Sequence, residues 1–140
     1  MKRLHRIACS LSKPDLEVTK DILKAGLFSI QPINKTISKR VLSMLYSPGV
    51  GAPCMKIKDD PQMADQLTLR GRSVAIVSDG SALGCSGPNF AAVMDWMVIQ
   101  LKFYAGIDSF PFLIRETANI GSILADLSTC YGTVLYLDSK

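Results

Sequence analysis

Apolar residues recur at two different intervals along this chain, and the change of interval divides it. In "PDLEVTKDILKAG", Leu16, Ile22 and Leu23 stand near helical spacing, Asp15 and Glu17 come early, Lys20 and Lys24 late, and Gly26 follows. That charge order suits a helix dipole and the glycine suits a C-terminal cap, so a helix is predicted. "LFSIQPI" reads as a short extended piece limited by Pro32. "NKTISKRVLSMLY" returns to helical spacing through Ile37, Val41, Leu42, Met44 and Leu45, with Thr36 or Ser38 as the cap. A loop is expected over Ser47–Cys54. Beyond it the acids and Pro61 of "DDPQMADQL" mark another helix start.

From Ser73 the pattern changes to short apolar runs between longer helical ones. "RSVAIVSDG" predicts a buried strand, "SALGCSGPN" a glycine-bearing loop, and "NFAAVMDWMVIQLKFYAG" a long apolar helix stopped by Gly106. "SFPFLI" predicts a second strand, "TANIGSILADLSTCYG" a second helix and "TVLYLD" a third strand. The βαβαβ order after residue 72 implies an α/β fold, with a short parallel sheet, right-handed crossovers and helices ahead of it. Helix Asn89–Tyr104 carries little charge, so it should be largely covered, in part by another subunit.

Composition narrows the classes. With 140 residues, 48% hydrophobic and 20% charged, the chain is a single globular domain able to bury a core without staples. A net charge of +4, scattered apart from "MKRLHR", argues against a nucleic-acid partner. Cys9, Cys54, Cys85 and Cys130 form no C-x-x-C pair and His5 is terminal, which argues against zinc. Unpaired cysteines without a secretory signal point to the cytoplasm, with an organelle presequence in "MKRLHRIACSLSK" as the alternative. No apolar run reaches the roughly 20 residues a membrane span needs.

The candidate chemistry lies in "LYSPGVGAPC". By spacing alone, Tyr46 closes a helix and packs. A phenol also carries its proton at neutral pH and can protonate a carbanion-like carbon if it is pre-aimed. Pro48, which fixes φ, and Gly49, which accepts a positive φ, are a suitable rigid mount for that role.

Three stretches in order, "LYSPGVGAPC", "SVAIVSDGSALG…GP" and "FYAGIDSFPFLI", together with "AGLFSIQPINKTISKRVLSML" upstream, resemble the N-terminal domain of malic enzymes of bacterial type. The likeness begins near Gly26, so 1–25 reads as a helical extension and 26–140 as one malic-enzyme N-terminal-like domain. The resemblance implies oxidation of malate with NAD or NADP, decarboxylation to pyruvate, and Mg2+ or Mn2+. It also implies that Tyr46 stands at the general-acid position, with Ser47, Pro48, Gly49 and Val50 around it. The resemblance implies likewise that Asp79, Gly80, Gly84 and Gly87 belong to the second loop of that site.

The chain departs from the family at three places. Counted back from "AGID", Met97 stands where the base lysine belongs, and methionine has no proton to exchange. Lys102, five residues on, points to another helix face. The loop "DGSALGCSGP" is shorter than the family's by about three residues and lacks its acid. At the metal corner Leu137 replaces a glutamate beside Asp138, and one aspartate does not make a hard-cation site. No cofactor is expected for this chain alone, because no dinucleotide-binding domain is recognised in it.

The reading that follows is a degenerate interaction module, a homo-oligomer or a partner of a full-length malic enzyme. The alternative is the substrate half of a split or truncated enzyme completed by a separate NAD(P)-binding chain. A truncated product without selected function is a third reading. Arg70, Arg72 and Arg115 are candidates by residue type to hold a dicarboxylate.

Overall fold

A computed structural model describes residues 26–81, 90–115 and 119–137. The predicted helix over 14–25 and the loop residues Gly84 and Gly87 lie outside these, as does Asp138. Ser38 caps helix α1 (Lys39–Met44), its hydroxyl accepting a 3.3 Å bond from the Val41 amide. A π-helical turn, Leu45–Gly49, follows, interrupted at Ser47, whose φ of −137° is extended, and the Ser47–Pro48 bond is cis. Helix α2 (Gly51–Asp59) comes next, then a 3-10 turn Pro61–Met63, helix α3 (Ala64–Leu67) and a second 3-10 turn Arg70–Arg72. Asp60 caps the Pro61 turn by accepting from the Gln62 amide at 3.0 Å.

The sheet holds strands β1 (Ser73–Ser78), β2 (Asp108–Leu113) and β3 (Thr133–Tyr136), in the order β2-β1-β3 and all parallel. Helix α4 (Ala91–Ala105) joins β1 to β2 and helix α5 (Ile120–Cys130) joins β2 to β3. The two connections run in opposite directions across β1. Right-handed crossovers therefore put α4 and α5 on opposite faces. Register agrees: Val74 pairs with Ser109 and Ile76 with Leu135, so these residues share the face on which Met94 and Val98 of α4 pack. Phe110 and Phe112 share the other face and meet Tyr131, at ring separations of 5.6 and 5.5 Å. Gly106 ends α4 at a φ of 69°, in the left-handed region that glycine enters without a Cβ penalty.

Three expectations are corrected. The loop expected over Ser47–Cys54 is helical from Gly51 onward. Pro53 is tolerated there because the first-turn amides of a helix have no intrahelical partner to lose. "LFSIQPI" is irregular and joins no strand. Helix α4 is covered less than its composition suggests: Met94 and Val98 are buried, while Trp96, Phe103 and Tyr104 are exposed.

The core belongs to the sheet. Its buried apolar residues are Val74, Ala75, Ile76 and Val77 of β1, with Phe90, Met94 and Val98. No described residue between 26 and 72 is buried. Among the described residues no helix is long and apolar enough to cross a membrane.

Candidate functional site at the carboxyl edge of the sheet

Parallel strands expose their carboxyl ends along one edge, where open α/β sheets bind ligands. Here that edge carries Asp79 and Gly80 after β1, Ile114 and Arg115 after β2, and Leu137 after β3. Backbone bonds hold the exits together. The Ile114 amide donates to the Ser78 carbonyl at 2.9 Å and the Leu137 amide to the Val77 carbonyl at 3.0 Å. The turn out of β1 is closed locally. The Gly80 amide, at a φ of 79°, donates to Ser78 Oγ at 3.0 Å, and the Ser81 amide donates to Asp79 Oδ1 at 2.8 Å.

Met97 and Leu137 meet in one place. With Ile76, Gln100, Leu101, Tyr104, Ala105 and Leu135 they line a shallow cavity of about 390 Å³ between α4 and β3. Met97 also packs against the core cluster. The position of the expected base and the position of the expected metal ligand are thus two walls of one apolar surface, a relation the sequence did not disclose. The Leu137 side chain offers no oxygen to a cation, and among the described residues no three His, Cys, Asp or Glu side chains gather to hold a metal. The described part of this corner does not fit a divalent ion.

Lys102 does not line the cavity of Met97 and Leu137. Its ammonium pairs with Asp108 at 2.8 Å, and Asp108 opens β2 at the amino edge, away from this site. The three arginines separate likewise. Arg115 follows the end of β2 on the carboxyl edge, whereas Arg70 and Arg72 precede β1 on the opposite one.

Tyr46 lies on the helical arm ahead of the sheet and is 79% exposed. It does not line the cavity of Met97 and Leu137. The turn carrying it is tightly built. Val50 donates its amide to the Tyr46 carbonyl at 3.4 Å, and a Cβ on Gly49 would fall 2.5 Å from the Met44 carbonyl oxygen. Gly49 does not take the positive φ expected of it. Close approach of the α1 backbone is the reason a glycine fits there.

A doubly wound parallel α/β domain with its candidate site at the carboxyl edge defines the class. Its relatives define it further. The chain is 43% identical over 123 residues to the NAD-dependent malic enzyme of Rhizobium meliloti (strain 1021), a match covering 84% of this chain and 16% of that one. It is 38% identical over 121 residues to the NADP-dependent malic enzyme of Escherichia coli (strain K12), covering 82% and 16%. Among solved structures, the NAD-dependent malic enzyme of Thermotoga maritima superposes with a TM-score of 0.75 at 30% identity, over 90% of this chain and 34% of that one. The Pyrococcus horikoshii malic enzyme gives 0.73 at 27%, over 85% and 31%. No family model matches the chain. The chain belongs to the malic enzyme family and corresponds to its N-terminal domain. It spans about a sixth of the length of these two curated relatives.

Proposed function

We propose that this chain does not turn over malate by itself and acts as an interaction module that assembles with a full-length malic enzyme. One observation carries the reading: Met97, to which the resemblance assigns the position of the family's base, lines an apolar wall with Leu135 and Leu137. Loss of a general base costs on the order of 10²–10⁴-fold in rate. The arm ahead of the sheet supports assembly. Leu42, Met44, Leu45 and Met55 are exposed on it and no residue there is buried. Apolar surface of that kind marks a contact face.

The test is co-assembly. The purified chain, mixed with the full-length Rhizobium meliloti enzyme, is expected to elute with it as a mixed species, and the chain alone with malate, Mn2+ and NAD or NADP to form no reduced cofactor. Separate elution at roughly micromolar concentrations, the range of ordinary specific association, would remove the module reading.

Retention of Tyr46 within "YSPGV" favours a second reading, the substrate half of a split enzyme that takes NAD(P) on a separate chain. Met97→Lys discriminates. In a mixture with a dinucleotide-binding chain the split-enzyme reading expects turnover to rise by about 10²-fold or more. The module reading expects none. Fold retention is a fair premise, since Met97 is only half-buried at the cavity wall and a lysine stem can lie along apolar surface with its ammonium in water.

A further inference from the structure

The described residues begin beside a groove that they leave open. Gly26 has a φ of 78°, and the irregular segment after it shares a groove of about 440 Å³ with α4 and the start of β2. Phe28, Ile30 and Ile33 line it from that segment, and Ile99, Phe103 and Ile107 from the end of α4 and the turn beyond. Ile30, Ile33 and Phe103 are 73%, 81% and 80% exposed. Apolar side chains gathered around one concavity at such exposure mark a surface that something covers.

We propose that this groove seats the chain's own residues 14–25, which lie outside the described residues. The spacing of "PDLEVTKDILKA" predicts a helix about 18 Å long. Leu16, Thr19, Ile22 and Leu23 then form one stripe, with Glu17, Asp21 and Lys24 turned away from it. A helix of that length is marginal in water by itself, so a stable one needs an apolar surface to pack on. The groove is the first such surface along the chain, because Leu27, two residues past the segment, already lines it. So short a tether holds the stripe near the groove at an effective concentration on the order of millimolar, an advantage that no free partner shares. Gly26 suits the junction, since a φ of 78° is the geometry of a residue just beyond a helix end. Among the charged residues of the lining, Lys102 and Asp108 pair at 2.8 Å and Arg72 is exposed, so seating an apolar stripe strands no charge.

Nuclear Overhauser contacts in the full chain, with methyl groups and aromatic rings labelled, test this. Contacts are expected from the Leu16 and Leu23 methyls to Ile99 and to the Phe103 ring, within one molecule. Amide exchange over residues 18–25 should be slower than in an unstructured chain by about tenfold or more. Leu16→Asp combined with Leu23→Asp should remove that protection, and Phe103→Ser, on the groove side, should reduce it by about tenfold. Lys24→Gln, opposite the stripe, should leave it unchanged. Absence of the contacts in the wild-type chain overturns the proposal, as do contacts from Leu16 and Leu23 to another surface or equal loss of protection in Lys24→Gln. Contacts seen only between differently labelled chains also overturn it and assign the groove to a second copy. The wild-type contacts decide even if a variant fails to fold.

Discussion

Ile76→Ala is expected to destabilise the chain by about 2–5 kcal/mol, the range for removing a large buried aliphatic side chain. Ile76 is 1% exposed on the central strand and packs in the cluster of Val74, Phe90, Met94 and Val98. A domain of this size is stable by only about 5–15 kcal/mol, so one side chain accounts for a large part of the total. The same face opens into the Met97 cavity, which gives the site room to collapse and draws the cost toward the lower end of the range. Leu42→Ala, on the arm, removes an exposed side chain and should cost no more than about 0.5 kcal/mol. Urea unfolding of the two variants beside wild type is the measurement. Equal midpoints for both would show that stability is not concentrated in β1.

The second large effect is expected at Gly71, which has no side chain to lose. A Cβ there would stand 2.0 Å from the Asp65 carbonyl oxygen and 2.7 Å from its carbon. These are backbone atoms, so no flexible side chain can yield and the turn must open. Gly71→Ala should cost about 2–3 kcal/mol, at the upper end of overpacking effects. Gly132→Ala closes on the same turn from the other side, at the Arg70 carbonyl oxygen. The double variant should therefore cost less than the two single costs added, because an opened turn relieves both contacts. A Gly71→Ala protein melting within about 1 °C of wild type would contradict the packing described.

The sheet was legible because its signals are local and redundant. Short apolar runs set β1, β2 and β3, Gly106 set the end of α4, and chain order set the parallel pairing. The start of α2 was not legible. Gly51, Ala52 and Pro53 look like loop punctuation, and only their place in the first turn, where amides need no helical partner, makes them compatible with a helix. The exposure of α4 was missed for another reason. Sequence hydrophobicity reports what could be buried, whereas the number of covering elements decides what is. At the candidate site, Met97 as an expected departure was readable from its count back from "AGID". Its meeting with Leu137 was not, because it depends on the pairing of β1 with β3 across some 60 intervening residues.

The arm bearing Tyr46 has one more consequence. Segments with few buried contacts exchange their amide hydrogens through local openings far cheaper than global unfolding. Amides of β1 should therefore report the stability of the whole domain, while those from Lys39 to Asp59 exchange early. A phenol on such a segment stores little positional order of its own. An assembly that seated Tyr46 against a ligand would also have to supply the ordering entropy of the arm.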